Sequence, residues 1–303
     1  LKKSRGLSNQ DPKRLKFALM YRFRKEHAIV RMAKVLEVSE SGYYKWLRRQ
    51  ASWSLRDIEN IEITEEIEKI YSESRAVYGI RKVTAELNDQ RQQEGKLPVN
   101  HKRVEKIMRE KGWHSRVRRK FVVTTDSSKT KKPADNLLQR NFSAKAPGEK
   151  LISDTTYVST HQGTLYVAVI LDLYGRMPVG LAMGRRNDQN LVINCFEDVL
   201  ARHHLKPNCL IHSDRGSTYA SEAYQKLLKK NHVRCSMSKK GDCWDNAAME
   251  SFFGKMKAEW LYNTPKTILE AKQLVFEYVW HFYAKRRRHA SLAYRTPHEF
   301  FYQ

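Results

Sequence analysis

The sequence predicts an α/β core, built on a mixed five-stranded sheet with helices, that follows all-α units of helix-turn-helix type. Between residues 13 and 113, apolar residues recur at helical spacing in successive segments. From residue 151, three consecutive β-rich runs appear, and helical segments then alternate with two shorter β-rich segments. This order is the one expected of a layered α/β domain.

Residues 1–53 are predicted to form a first helical domain. The segment KRLKFALMYRFRK (13–25) indicates a basic helix, and residues 28–49 indicate two helices joined by a short turn. Ser39 suits the N-cap of the second of these, because its hydroxyl can accept a hydrogen bond from a free backbone N–H group. The pattern is typical of a helix-turn-helix, although an ordinary helical hairpin has the same periodicity.

Residues 54–114 are predicted to form a second helical domain of the same type. Helical periodicity covers 54–74, 78–90 and 99–113. The last of these helices carries a basic stripe suited to a nucleic-acid groove, which consists of Lys102, Arg103, Lys106 and Arg109. The same charges would also fit a solvated helix face.

Residues 115–150 are basic, contain Ser and Pro, and lack apolar periodicity. This composition predicts an extended linker that orders along a nucleic acid, with contacts from Arg116, Arg118, Arg119 and Lys120. The formal net charge of the 303 residues is +24, which indicates a polyanionic partner such as DNA or RNA. A generally basic, solvated surface is the alternative.

The four cysteines form no C-x-x-C pair, which favours a reducing, cytoplasmic compartment over a disulfide framework. His204, Cys209 and His212 are close in sequence but lack the spacing of zinc ligands. No apolar run reaches the roughly 18 residues of a membrane span, so we expect no membrane partner. The chain begins with Leu1 rather than Met, so we expect an upstream part outside it or a longer product.

Residues 151–262 are predicted to form the α/β core, and residues 263–303 a helix and basic tail that pack on it. The predicted order is three strands, a helix (188–203), a strand (208–213), a helix (221–230), a strand (232–237) and a helix (245–260). This is the order of an RNase-H-like layer. The tail adds a helix (266–284), the cluster KRRRH (285–289) and a TPHEF segment (296–300) that is interpreted as a stop.

Three acids stand at the ends of three of these elements. Asp154 is on the first predicted strand, Asp214 follows the fourth, and Glu250 lies in the first turns of the last core helix, near a cap formed by Asp245 and Asn246. Open α/β sheets bind ligands outside strand ends, so these carboxylates can converge. The alternative reading is that each acid merely caps a helix or is solvated.

Carboxylate oxygens bind hard divalent cations, and two metals about 3.5–4 Å apart can activate a hydroxyl and stabilise a leaving oxygen. The acidic trio therefore predicts a site for two Mg²⁺ ions, with Mn²⁺ as a substitute, and phosphoryl-transfer chemistry. Lys257 lies two turns after Glu250 on the same helix face, where it can bind a DNA phosphate. Asp172 ends the second strand, and we expect it to be structural.

The arginines of the KRRRH cluster are the last candidates for DNA contact. Guanidinium groups bind phosphate bidentately, so Arg286, Arg287 and Arg288 are predicted to clamp the DNA backbone. A solvated basic turn is the alternative.

Several segments resemble, in the right order, the IS-three family of bacterial insertion-sequence transposases, whose core is related to retroviral integrases. The core segments are LISDTTYV, GTLYVAVILDLYGR, HSDRGSTYAS, DNAAMESFFGKMKAE and RRRHASLAYRTPHEF. YGIRKVTAEL and VNHKRVEKIMREKGW resemble the helical DNA-binding segment. Thirty-five residues separate Asp214 from Glu250, as in a DD(35)E motif. Leu151 and Ala284 depart from the pattern, which usually has Trp and Asn there.

The resemblance implies a DDE transposase that acts on double-stranded DNA, at terminal inverted repeats and a target, as a homo-oligomer of at least two subunits. It implies cleavage that releases a 3′-hydroxyl, transesterification, and a copy-out, paste-in route through a circular intermediate. A bacterial cytoplasmic, nucleoid-associated location follows. Two alternatives remain open, a DNA-binding regulator with an inactive core and a structure-specific nuclease.

Overall fold

The computed structural model describes residues 12–51, 55–116, 135–139, 141–238 and 246–303. Its centre is a five-stranded sheet in the order β3-β2-β1-β4-β5. The strands are β1 (Lys150–Thr160), β2 (Gly163–Asp172), β3 (Met177–Gly184), β4 (Leu210–Ser213) and β5 (Arg234–Met237). β1, β2 and β3 form an antiparallel meander, whereas β4 runs parallel to both β1 and β5. The prediction of a mixed sheet is therefore confirmed.

Alternation along the strands divides the core between the two faces of this sheet. Leu151, Ala168 and Ile170 belong to one hydrophobic cluster, whereas their neighbours Ile152 and Val169 belong to the other. The helices are α7 (Gln189–Arg202), α8 (Glu222–Lys230), α9 (Ala247–Glu259) and α10 (Ile268–Phe276). α7 packs on β2 and β3, and α9 and α10 pack on the opposite face.

Gly180 permits the close approach of α7 to β3. A Cβ atom at this position would stand 2.6 Å from both the Cys195 carbonyl oxygen and the Val199 Cγ2 atom. Any larger residue would therefore push the helix away from the sheet.

The first helical unit consists of α1 (Pro12–Phe23), α2 (Ile29–Val35) and α3 (Glu40–Ala51). Its small core is formed by Met20, Ala33 and Tyr43. The Gly42 backbone N–H group donates to the Ser39 hydroxyl at 3.1 Å, which confirms the predicted cap.

The second helical unit consists of α4 (Leu55–Glu73), α5 (Ile80–Gln93) and α6 (His101–Glu110). Its buried residues, such as Ile63 and Leu87, belong to the same hydrophobic cluster as Met249 and Tyr278 of the core. Ion pairs at its edges add to this packing, including Arg75–Glu277 at 2.9 Å. The unit therefore shares a core with the α/β layer and is not separately packed.

The second half of the predicted linker also packs against the sheet. Leu138 is buried, and the Leu137 and Leu138 backbone N–H groups donate to the Ser236 hydroxyl at 2.9 and 3.2 Å. The Gly148 N–H group donates to the Asp172 carboxylate at 2.7 Å. Residues 135–139 and 141–150 thus lie against the core, whereas their composition predicts an extended linker that orders along a nucleic acid. Arg118, Arg119 and Lys120 lie outside the described residues.

After α10 the chain continues as a π-helical turn (Glu277–Tyr283), a 3-10 turn (Ala290–Leu292) and α11 (Pro297–Phe301). The TPHEF segment begins this last helix and does not act as a stop, which corrects the sequence interpretation. Thr296 and Glu299 form a capping box, and Pro297 occupies the first helical turn, where its missing N–H group costs no hydrogen bond. Within the described ranges, no helix combines the length and apolar character that crossing a membrane requires.

Candidate active site

Asp154 and Asp214 stand level on neighbouring strands at the centre of the sheet. β1 and β4 run parallel with Ile152 opposite His212, and each acid lies two residues beyond this pair. Asp214 directly follows Ser213, the last residue of β4. Because side chains alternate along a strand, the two carboxylates project to the same side as the Ile152–His212 pair. The sheet register therefore places the two predicted acids next to each other.

The environment of Asp154 disfavours its charged form. Burial, followed by the negative charges of Asp214 and Glu250, raises the pKa of Asp154 to about 8. Hydrogen bonds from the Thr155 backbone N–H group, at 2.8 Å, and from the Asn246 side chain act in the opposite direction. Such a concentration of uncompensated negative charge is the electrostatic condition that a bound cation relieves.

A tight turn holds Asp214. Its Oδ1 atom accepts a hydrogen bond from the Gly216 backbone N–H group at 2.8 Å. A Cβ atom on Gly216 would lie 2.9 Å from that same oxygen, so the glycine leaves room for the carboxylate. Burial raises the pKa of Asp214, and the Gly216 hydrogen bond lowers it.

Glu250 lies in the first turn of α9 and its side chain is exposed. α9 packs against β1 on the face of the sheet that carries Ile152, and the charge of Glu250 raises the pKa of Asp154. Within the described part of the chain, however, no three His, Cys, Asp or Glu side chains already form a metal-binding group. The sheet therefore positions two carboxylates, and the third is carried by the first turn of α9.

Asn246 is the residue at this site that sequence reasoning missed. Asn246 occupies the N-cap position of α9, as the sequence predicts, but its side chain makes no cap hydrogen bond and instead donates to Asp154. The residue is buried, and its Oδ1 atom has no hydrogen-bond partner. An orphaned amide oxygen beside two carboxylates completes a donor set of hard oxygen ligands, so the residues present fit a divalent cation.

Lys257 extends this site along α9. Its ammonium group lies 4.8 Å from the centroid of the Tyr157 ring, on β1. Burial lowers the pKa of Lys257, and the charge of Asp154 opposes that shift. The lysine thus lies on the Asp154 side of the helix, as its spacing from Glu250 predicts.

Buried polar groups support the end of β4. The two ring nitrogens of His212 lie 2.8 and 3.1 Å from the hydroxyls of Ser236 and Ser238. The Arg215 guanidinium donates to the Ser238 carbonyl at 2.5 Å. These contacts fix β4 to β5 immediately before Asp214. The only sequence signal for them is the alternation of Ser236 and Ser238 on a β-rich segment.

Asp172 has a structural environment, as expected. It accepts hydrogen bonds from the Gly148 and Tyr174 backbone N–H groups at 2.7 and 2.8 Å. Burial raises the pKa of Asp172 to about 6, and these two hydrogen bonds limit the rise. Its carboxylate therefore connects the backbone before β1 to the backbone that follows β2.

Two of the three arginines predicted to clamp DNA are buried in the protein. Arg287 forms a bidentate ion pair with Glu259, which itself is only 3% exposed. Arg288 pairs with Glu86 at 2.7 Å and also with Asp89. Their guanidinium groups connect the C-terminal segment to α9 and α5. The expectation of a clamp by all three arginines is corrected, since only Arg286 is exposed.

The basic stripe of α6 is also divided. Lys102 and Arg109 are exposed, whereas Arg103 is bound to Asn60 and Glu59 at 2.8 and 2.9 Å. Lys106 lies 3.8 Å from Glu110, one turn away on α6. Arg116 donates to the Glu259 carbonyl at 2.7 Å, and its guanidinium lies 3.8 Å from the Tyr262 ring centroid. Arg103 and Arg116 therefore have structural partners within the chain.

Family comparisons agree with this architecture. A model described as an integrase core domain matches residues 144–243, and a second integrase core model matches residues 231–297. A model described as an HTH-like domain matches residues 57–121. Together, they define the class of protein as a DNA-cutting and DNA-joining enzyme in which a helical domain precedes an integrase core along the chain.

Two relatives identify the family. Transposase InsF for insertion sequence IS3A, from Escherichia coli (strain K12), is 32% identical over 289 residues, which cover 94% of this chain and 98% of the relative. The insertion element IS600 uncharacterized 31 kDa protein, from Shigella sonnei, is 34% identical over 273 residues, or 89% and 97% of the two chains. The chain belongs to the IS3 family of insertion-sequence transposases.

Solved structures of integrases are among those that match. The HTLV-2 integrase catalytic core domain in complex with magnesium, in its trimeric form, gives a TM-score of 0.43 at 14% identity and covers 53% of this chain and 100% of that one. The simian T-cell lymphotropic virus intasome in complex with the PP2A regulatory subunit B56 gamma gives 0.44 at 14% identity, with 78% and 74% covered.

Proposed function

We propose that this transposase binds the terminal inverted repeats of its insertion sequence, cuts the DNA to release a 3′-hydroxyl, and joins that hydroxyl to another phosphodiester. The observation that carries the proposal is the position of Asp154 on β1 and of Asp214 directly after β4, each two residues beyond the Ile152–His212 pair, with the helix of Glu250 beside them. Three carboxylates on one side of a sheet form the ligand set that metal-dependent phosphoryl transfer requires.

Asp154, Asp214 and Glu250 are proposed to hold two Mg²⁺ ions, and Mn²⁺ would substitute because it accepts the same oxygen ligands. When bound, such ions activate an attacking hydroxyl and stabilise the leaving oxygen. Asn246 orients the Asp154 carboxylate through its hydrogen bond. Lys257, on the Asp154 side of α9, would bind the phosphate that follows the reacting one.

DNA recognition is proposed for the exposed basic residues outside this site. Lys102 and Arg109 on α6 and Arg286 in the C-terminal segment have side chains open to solvent. Joining two element ends requires two active sites, so we propose a homo-oligomer of at least two subunits on double-stranded DNA. The copy-out, paste-in route through a circular intermediate and a nucleoid-associated, cytoplasmic location are part of the same proposal.

The test is a reaction with DNA fragments that flank the encoding gene, with Mg²⁺ present, followed by mapping of the ends. We expect a nick that leaves a 3′-hydroxyl at the element end, and then products in which this end is joined to another strand. Asp214→Asn should abolish both products while DNA binding remains. Glu197→Gln, on the exposed face of α7, is the matched control and should retain activity.

Two other outcomes would replace the proposed function. Mg²⁺-dependent cleavage without any joined product would indicate a structure-specific nuclease. Repeat binding by the wild type without cleavage, under conditions in which both Mg²⁺ and Mn²⁺ are supplied, would indicate a regulator with an inactive core.

A further inference from the structure

The side of α9 opposite to the active site carries a second group of basic residues. Lys255 precedes Lys257 by two positions, which turns it by about 200° around the helix axis. Lys257 lies beside Tyr157 and Asp154, whereas Lys255 interacts with the charges of Arg287 and Arg176. α9 therefore separates two basic regions, of which only one belongs to the acidic site.

Three further elements bring cations to this second region. Lys82, on α5, lies with its ammonium group 5.3 Å from the Tyr78 ring centroid, and the Tyr78 hydroxyl accepts a hydrogen bond from the Arg288 backbone at 3.1 Å. Arg176 stands in the turn between β2 and β3. The C-terminal segment contributes Arg287, whose guanidinium lies 5.9 Å from the Tyr283 ring centroid.

The positive charges in this region exceed the negative ones. Lys82 faces the charges of Arg287 and Lys255, and Lys255 faces those of Arg287 and Arg176. Glu259 is the carboxylate that acts on both lysines in the described structure. Arg287 already occupies both oxygens of Glu259. Burial and the neighbouring cations lower the pKa of Lys82 and of Lys255 to about 8. Lys255 donates a hydrogen bond to the Ser251 hydroxyl at 2.7 Å, but within the described ranges neither lysine has an ion-pair partner of its own.

His289 lies at the base of the group. Its ring packs edge-on against Tyr283, with centroids 4.9 Å apart, and the residue is 4% exposed. The Nε2 atom has no hydrogen-bond partner. Burial, followed by the charges of Arg287, Lys255, Lys82 and Arg176, lowers the pKa of His289 to about 2, so the ring is neutral. A buried, unpartnered nitrogen amid excess positive charge is the arrangement that an anion would satisfy.

We propose that Lys82, Lys255, Arg176 and His289 form a phosphate-binding site for the backbone of DNA, separate from the acidic site. A phosphate group would offset the repulsion among the cations and accept a hydrogen bond from the His289 ring. DNA is the favoured source because the site joins α5, in the segment that matches the HTH-like domain, to α9, in the segment that matches the second integrase core model. The choice of DNA as ligand rests on the proposed function, whereas the affinity for phosphate does not.

The experiment compares the full chain with the double variant Lys82→Gln/Lys255→Gln. The matched control is Lys229→Gln/Lys230→Gln, which removes two exposed charges from α8. Without ligand, the test variant should melt at or above the wild-type temperature, because repulsion is relieved. Inorganic phosphate, added at constant ionic strength against chloride, should raise the melting temperature of the wild type and of the control but not of the test variant.

A second arm measures binding of a duplex that contains the element end, by fluorescence anisotropy over a range of salt concentrations. Loss of one phosphate contact should reduce the slope of log K against log salt by about 0.9 in the test variant. An equal phosphate response in test variant and wild type, or a phosphate response with no change in the DNA slope, would overturn the proposal. If the double variant does not fold, Lys255→Gln alone is measured in the same way.

The two proposals fail in different ways. A wild type that never cleaves DNA with Mg²⁺ contradicts the proposed function. The effect of phosphate on the melting temperature can still be measured in that case. A wild type that cleaves and joins DNA but shows no phosphate response contradicts the second site alone.

Discussion

The side-chain amide of Asn246 donates a hydrogen bond to the carboxylate of Asp154 and so connects the start of α9 to the central strand of the sheet. Glu250 follows four residues later, about one helical turn along α9. The same contact therefore connects the helix that carries the third acid to the strand that carries the first. Asn246 acts on the site through Asp154, which makes it a positioning residue.

Asn246→Ala should reduce Mg²⁺-dependent cleavage by about 10–100-fold, the usual cost of removing a partner that orients a metal ligand. DNA binding should stay unchanged, and the Mg²⁺ concentration needed for half-maximal rate should rise. Asn194→Ala, on an exposed face of α7, is the control. Full activity at unchanged Mg²⁺ dependence in Asn246→Ala would show that the contact is only structural.

Asp154→Asn should stabilise the metal-free protein at neutral pH. The pKa of Asp154 is about 8 in the folded state against an ordinary value of 3.8, so between about pH 4 and 8 the folded state holds a proton that the unfolded chain has lost. The free energy of unfolding of the wild type therefore falls as pH rises through this window. The variant lacks this fall and should therefore be more stable than the wild type at pH 8 by at least about 1 kcal/mol, the value of one pKa unit.

The measurement is urea unfolding at several pH values, with and without Mg²⁺. Bound metal compensates the charge of the carboxylates, so Mg²⁺ should stabilise the wild type and not Asp154→Asn. Parallel pH profiles for the two proteins, in the absence of metal, would contradict the assignment.

The sequence predicts the sheet and the acids because both depend on local patterns. The β-rich run that begins at Leu151 predicts β1, and the acids at strand and helix ends follow from the order of elements. What it cannot predict are partners far apart in the chain. Arg287 meets Glu259, and Lys82 approaches His289, only after α5, α9 and the C-terminal segment have packed together. A run such as KRRRH gives no local sign of which arginine becomes buried.

The division of the α6 stripe makes a prediction about salt dependence. Lys102→Gln/Arg109→Gln removes two exposed charges and should reduce the slope of log K against log salt by up to about 2 for the element end. Arg103→Gln should change that slope little, because Arg103 is bound to Asn60 and Glu59, and should instead lower stability. If the wild type, Lys102→Gln/Arg109→Gln and Arg103→Gln had equal slopes, α6 would not contribute to DNA binding.

Arg287, which is buried with Glu259, and its exposed neighbour Arg286 are expected to respond differently to substitution by Ala. Arg287→Ala leaves the Glu259 carboxylate buried beside the Tyr278 hydroxyl without its cation, and such a loss costs about 3–5 kcal/mol. Arg286→Ala removes an exposed side chain and should change the unfolding free energy by less than about 0.5 kcal/mol.

Urea unfolding and DNA affinity, measured on both variants, separate the two roles. We expect Arg287→Ala to unfold at lower urea, and Arg286→Ala to bind DNA more weakly at unchanged stability. Glu259→Gln should destabilise as Arg287→Ala does, because it leaves the guanidinium unpaired in the same buried site. If Arg287→Ala instead weakened DNA binding while keeping the wild-type unfolding midpoint, the guanidinium would have to leave Glu259 when DNA binds, and the structural role given to this pair would be wrong.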